Sequence, residues 1–143
     1  MRYHFKIHKE GEGFWAECVE IPGCVTQGDS KEELFANMED AINTFLEEPE
    51  DSLYLAPLPD NTISLSRSIV EVPVSPAVAL AFSIRRERIK KGLTQKEVAE
   101  KLGMKGVYSY QRLEKKCNPT LELIFKLVCL FPSLSLDEIL HQN

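Results

Sequence analysis

Five side chains, Tyr108, Ser109, Gln111, Arg112 and Lys115, are of the kinds that reach base edges and phosphates in a DNA major groove. They stand between Val107, Tyr110 and Leu113, which repeat at helical spacing, so they share the outward side of one short helix. Carboxylate chemistry has weaker support. A site that holds two divalent ions and activates water needs several converging acids. Glu17, Glu20 and Asp29 fall at strand or turn positions, while Glu32 and Glu33 stand in the first turn of a helix, whose positive end already accounts for them. No Ser/His/Asp, Cys/His or phosphate-loop arrangement is present, and Gly11, Gly13, Gly23 and Gly28 are turn residues. The expectation is a protein without catalytic residues, metal or cofactor. Cys18, Cys24, Cys117 and Cys129 lack Cys-x-x-Cys spacing and a histidine ladder, and are read as free thiols. His4 and His8 alternate with Arg2 and Lys6 and are expected to face solvent.

The elements that must position the reading side chains are short. Thr94, with Glu97 three residues on, makes a capping box, so a helix opens at Thr94 or Gln95. Val98, Ala99 and Leu102 line one face of it, and Gly103 can take the positive φ that ends a helix. A preceding helix spans Ala77 to Lys91, with Val78, Phe82, Ile84, Arg85 and Ile89 in register and Arg86, Arg88, Lys90 and Lys91 exposed. Thr120 caps a further helix whose Leu121, Ile124, Phe125, Leu127 and Val128 mostly fill a core, and Ser135 to Leu140 closes the chain.

The N-terminal half has a different period. Tyr3, Phe5 and Ile7 alternate with polar residues, a half-buried strand. The turn signal Glu10 to Gly13 returns it as a hairpin through "FWAECVE". Pro22-Gly23 breaks that strand, "CVTQG" supplies a third, and Gly28 frees the chain ahead of a helix that Asp29 and Ser30 compete to cap. Leu34, Met38, Ala41 and Phe45, beside Phe35, Ile42 and Leu46, form a stripe wide enough to cover a sheet face, and Pro49 stops the helix. Asp60-Asn61 is a turn, and Ile69, Val70, Val72 and Val74 return to the sheet before a linker from Pro73 to Pro76.

Charge divides in the same place. The 143 residues carry a net −5, but residues 1–73 hold 5 Lys/Arg against 15 Asp/Glu, a net −10, and residues 74–143 hold 12 against 7, a net +5. A basic half suits a phosphate backbone, and an acidic half suits a basic protein. No signal peptide or stretch of about 18 apolar residues is found, so a cytoplasmic protein with no membrane association is expected.

Residues 93–103, L-T-Q-x-E-x-A-x-x-L-G, resemble the helix-turn-helix of the phage-repressor or Xre class. That resemblance covers roughly residues 77–143 and implies that Gln95 binds phosphate or orients a base-contacting side chain. The implied DNA-binding set is Gln95, Lys105, Tyr108, Ser109, Gln111, Arg112 and Lys115. The sequence departs from the pattern by one extra residue between Gly103 and Tyr110, one fewer before Asn118-Pro119, and no Gly after the second motif helix. "EIPGCVTQGDSKEEL" (Glu20 to Leu34), with "NMEDAI" following, is similar to the signature of HicB antitoxins over about residues 1–75. It implies an α+β chain, with a partial ribonuclease-H-like β-β-β-α-β domain over residues 1–73 and an all-α helix-turn-helix domain over residues 77–143. The partners implied are a HicA-like mRNA-cleaving toxin and palindromic operator DNA, bound by a homodimer or higher homo-oligomer. Phe14, Trp15, Glu17, Glu20 and Tyr54 are the candidates for toxin contact. The rival expectation is a ligand-responsive repressor with no toxin.

Overall fold

The computed structural model describes residues 1–47 and 52–140. These form two compact units, one from Met1–Leu46 with Ala56–Ser75, the other from Pro76 onward together with residues 52–55. Pro49, expected to stop a helix, lies outside the described residues.

The first unit is a four-stranded antiparallel sheet with one helix. Strands β1 (Arg2–Glu10), β2 (Gly13–Cys18), β3 (Val25–Gly28) and β4 (Ile69–Pro73) lie in the order β3-β2-β1-β4. Pairing sets Phe5 opposite Cys18, Ile7 opposite Ala16, and Tyr3 opposite Val72, so the apolar members of the period-two pattern share one face. Helix α1 (Lys31–Leu46) covers that face with Leu34, Met38, Ile42 and Leu46, all buried and spaced four apart. The stripe is narrower than the sequence suggested, since Phe35 turns out to solvent. Ser30 wins the cap: its hydroxyl accepts from the Glu33 amide at 3.1 Å, while the Glu33 carboxylate accepts from the Asp29 amide at 2.8 Å. Gly28 has a different role from the one its sequence context suggested. A Cβ there would sit 2.6 Å from the Leu34 backbone nitrogen, so the residue permits close approach of β3 to α1 and supplies no special φ.

His4 does not face solvent. It is 2% exposed, because Glu20 folds back beyond the end of β2 and places Oε1 2.6 Å from His4 Nδ1. The same carboxylate accepts from the His4 amide at 3.0 Å and the Asp60 amide at 3.3 Å, which ties the segment after Ala56 to the sheet.

The second unit contains α2 (Pro76–Lys90), α3 (Gln95–Lys101), α4 (Val107–Leu113), α5 (Leu121–Leu130) and α6 (Leu136–Leu140). Phe82, Ile84, Val98, Tyr110, Leu127, Phe131 and Ile139 are among its buried side chains. Of the α5 residues expected mostly to fill the core, Leu121 at 82% exposed and Phe125 at 69% are the outward remainder. Helical period places them on one line of α5, one turn apart, but α5 buries the neighbouring line through Leu127 instead. Residues 52–55 pack with this unit, where Arg85 Nη2 donates to the Ser52 and Tyr54 carbonyls at 2.6 and 2.9 Å. Across the described residues no helix is long and apolar enough to cross a membrane. The four cysteines are free thiols, and of these Cys129 alone is exposed.

Candidate nucleic-acid interface

Helix α3 begins where its sequence says it must. The Thr94 hydroxyl accepts from the Glu97 amide at 3.1 Å and the Glu97 carboxylate accepts from the Thr94 amide at 2.9 Å, satisfying two amides that the helix itself leaves unpaired. It ends in Gly103 at φ 71°, whose amide donates to Glu100 O while Met104 N–H reaches back to Ala99 O at 2.9 Å. That paired arrangement needs a left-handed residue at the turn, which glycine adopts without Cβ strain. The chain then re-enters helix at Val107, and α3 and α4 pack against each other.

One carboxylate locks α4 in place. Glu114, one residue past α4, accepts from Arg88 Nη2 at 3.1 Å and from Arg88 Nε, from the Tyr110 hydroxyl at 2.6 Å, and from Gln95 Nε2 at 2.9 Å. Arg88 also donates from Nη1 to the Leu93 carbonyl at 3.0 Å. Burial works against the Arg88 charge, but the Glu114 carboxylate beside it outweighs this and holds its pKa above the usual value. Burial first, and the same carboxylate second, push the Tyr110 hydroxyl well up, so it stays a donor. Arg88 was expected at the surface. It is buried because Glu114 compensates its charge, and a buried ion is tolerated when it is paired and hydrogen-bonded. Lys91 is exposed as expected, and its Nζ donates to the Leu130 carbonyl at 2.8 Å and lies over the Phe131 ring. The basic end of α2 and the residue after it therefore present Lys90 and Lys91 to solvent, with Arg86 half-buried.

The outward side of α4 holds the side chains that the sequence singled out. Lys105, Tyr108, Ser109, Arg112 and Lys115 are exposed, Tyr108 to 69%, and Gln95 and Gln111 are half-buried. Gln111 Nε2 donates to Gln95 Oε1 at 3.1 Å, which joins the first residue of α3 to the middle of α4. Val107, expected on the buried line, is exposed: it is the first residue of α4, just after Gly106, while Tyr110 one turn on is buried. Glu114 was not recognised as part of the site. The signal was available: it lies one helical turn from buried Tyr110, and Arg88 lies in the register of the apolar line of α2.

The candidates in the first unit separate. Trp15 and Glu17 point from β2 to the face that α1 does not cover; His8 stacks on Trp15 with ring centroids 4.0 Å apart, and its Nε2 lies 3.0 Å from Glu17 Oε1. Phe14 has the opposite parity on the strand. Glu20 is held inward by His4, and Tyr54 belongs to the second unit. Glu17, Glu20 and Asp29 do not gather, and among the described residues no group of three or more His, Cys, Asp or Glu is placed to hold a metal ion.

A mixed sheet-and-helix unit joined to a helical unit with two short packed helices around a left-handed glycine defines an α+β protein with a helix-turn-helix domain. Residues 84–139 match the family Helix-turn-helix, which supports a DNA-binding domain of that type in this part of the chain. The chain is also similar to Antitoxin HicB of Pseudomonas fluorescens (strain Pf0-1), with 28% identity over 102 residues, covering 71% of this chain and 68% of that protein. The resemblance to HicB-type antitoxins with a helix-turn-helix half is borne out by these two findings together.

Proposed function

We propose that this protein is the antitoxin of a toxin–antitoxin pair: residues 1–73 sequester a HicA-like RNA-cleaving toxin, and residues 77–143 repress the operon that encodes both. The observation that carries this reading is the joining, in one chain similar to Antitoxin HicB, of an acidic sheet domain to a helix-turn-helix whose outward face is basic and polar. DNA is met by Lys105, Tyr108, Ser109, Arg112 and Lys115, with Gln95 and Gln111 supporting or joining them. Helix-turn-helix proteins reach useful affinity as dimers on half-sites one helical turn apart, which gives a palindromic operator. The exposed line of α5, Leu121 and Phe125 beside the Glu122–Lys126 pair, offers a second copy an apolar strip with both signs of charge at its margin.

On the toxin side, Trp15 and Glu17 carry the contact. Trp15 supplies stacked area at the open sheet face, and Glu17 extends a negative surface that occupies the place of RNA phosphate. Glu20 contributes by holding β1 and the Asp60 turn. Charge sets the rate of encounter more than the final affinity, which the aromatic centre provides. The protein works in the cytoplasm and performs no catalysis of its own.

The test is co-expression with the small basic reading frame beside the gene. The full chain rescues growth, and its association slows as salt is raised. Trp15→Ala combined with Glu17→Lys abolishes rescue while leaving operator binding intact. Undiminished rescue by that double variant would place the toxin contact elsewhere, and a neighbouring frame that is harmless when expressed alone would favour the ligand-responsive repressor.

A further inference from the structure

We propose that Cys18 and Cys24 are a redox-active pair, which hydrogen peroxide converts to a disulfide that fastens β2 to β3. The pair lies within the first unit, and its chemistry is independent of what that unit or the DNA-reading half binds.

A turn in the sequence brings the two residues together. The Cys24 amide donates to the Ile21 carbonyl at 3.2 Å and Gly23 has φ 89°, so Ile21 to Cys24 has the hydrogen bond and the left-handed glycine of a type II turn, with Pro22 at the position that favours proline. The turn delivers Cys24 beside Cys18. Strands β2 and β3 pair Glu17 with Val25, and the next step of that register sets Cys18 opposite Cys24, where the Cys18 amide donates to the Cys24 carbonyl at 2.8 Å. Facing residues of an antiparallel pair direct their side chains to the same side of the sheet, with Cα atoms about 4.5–5.5 Å apart. That spacing falls inside the roughly 4.4–6.8 Å that a disulfide spans.

The two thiols are not equivalent. Glu20 Oε2 accepts from Cys18 Sγ at 3.6 Å. Contact between the thiols pushes Cys18 well up, with burial and the Glu20 carboxylate adding to it, while the same contact brings Cys24 down against the effect of burial. Cys24 is therefore the sulfur that ionises, and a thiolate is the nucleophile. It attacks one peroxide oxygen; the O–O bond breaks, the departing hydroxide takes a proton from solvent, and Cys24 becomes a sulfenic acid. The Cys18 sulfur then attacks the Cys24 sulfur, the S–O bond breaks, and the Cys18 proton passes by way of Glu20 to the leaving hydroxide. Two thiols and one hydrogen peroxide thus give one disulfide and two waters. At 5% and 3% exposed, the two residues are out of reach of a bulky reagent, whereas hydrogen peroxide is little larger than water. The ring so closed contains Glu20, whose carboxylate holds the His4 and Asp60 amides, so the crosslink fastens the unit where these bonds meet.

The test uses the full chain with Cys129→Ser, which removes the exposed thiol and with it crosslinking between molecules. Protein is treated with graded hydrogen peroxide, quenched, unfolded, alkylated and digested with trypsin. Residues 10–31 form one tryptic peptide that holds both cysteines and no internal Lys or Arg. It should appear unalkylated and about 2 Da below its reduced mass, return to the alkylated form after dithiothreitol, and leave Cys117 alkylated. The melting temperature of the oxidised protein should rise by about 5 °C and fall back on reduction. In Cys18→Ser, dimedone should trap a sulfenic acid at Cys24; in Cys24→Ser none should form at Cys18, and neither variant should gain in melting temperature. A peptide 10–31 that stays fully alkylated at peroxide concentrations that oxidise Cys129 in wild type overturns the proposal. So does a sulfenic acid trapped at Cys18 in preference to Cys24, or a disulfide that leaves the melting temperature unchanged.

Discussion

Each unit of this protein buries a carboxylate against a basic side chain, and the two sites differ in where their hydrogen bonds lead. Glu20 accepts from the His4 ring, the His4 amide and the Asp60 amide, and beyond the His4 ring lie Glu71 and its partner Arg2 on the paired strands β4 and β1, so the network runs within the sheet. Glu114 accepts from Arg88, Tyr110 and Gln95, and through Gln95 the chain of bonds continues to Gln111 at the outer side of α4. The first arrangement closes a fold. The second connects the core of the domain to a surface.

The contrast can be broken first by truncation. Glu114→Ala strands the Arg88 guanidinium in the interior and should cost about 3–5 kcal/mol of stability in the second unit. Chemical denaturation monitored by far-ultraviolet circular dichroism reads this directly, and a loss under about 1 kcal/mol would mean that Arg88 finds water or another acceptor. Glu20→Ala should cost less, about 1–3 kcal/mol, because it removes hydrogen bonds to two amides and an imidazole without stranding a guanidinium. It should leave operator affinity unchanged, whereas Glu114→Ala should reduce it even where the protein is folded. Equal loss of DNA binding from both substitutions would remove the distinction drawn between the two carboxylates.

A smaller effect sharpens the picture of the cores. Native protein treated with a thiol reagent should be modified at Cys129 and at no other cysteine, since Cys18, Cys24 and Cys117 are buried and burial alone pushes the Cys117 thiol up to about 12. Rapid labelling of Cys117 would show that the packing around residue 117, where its amide donates to the Ala77 carbonyl, opens readily.

What was legible in the sequence was local. The capping box at Thr94, the left-handed Gly103, the period-two strand at Tyr3 to Ile7 and the outward set on α4 depend on residues within a turn or two of each other, and all took the form their spacing dictated. What was not legible depended on distant partners. Arg88 and His4 read as surface residues because burial of a charged or polar side chain is decided by a compensating group far along the chain, Glu114 in one case and Glu20 in the other. Leu121 and Phe125 could not be picked out as the outward remainder of α5, because helical period identifies an apolar line without saying which neighbour covers it. Tyr54 was assigned by position along the chain, whereas its segment packs with the second unit through Arg85. At the candidate site Val107 opens α4 and is exposed, which helical period alone does not distinguish from the buried line of Tyr110.

The central claim is that the outward face of α4 meets DNA while its inner face is held by Glu114. The measurement that tests it most directly is the salt dependence of operator binding by the full-length protein, wild type against Arg112→Ala. Each phosphate neutralised by a cationic side chain contributes close to one unit to the slope of log affinity against log salt. Arg112→Ala should therefore weaken binding to operator and random duplex alike and lower the slope by about 1, with melting behaviour unchanged. An identical slope and affinity in the two proteins would contradict the account, because an exposed arginine in the last turn of the proposed DNA-reading helix would then be contributing nothing to the contact.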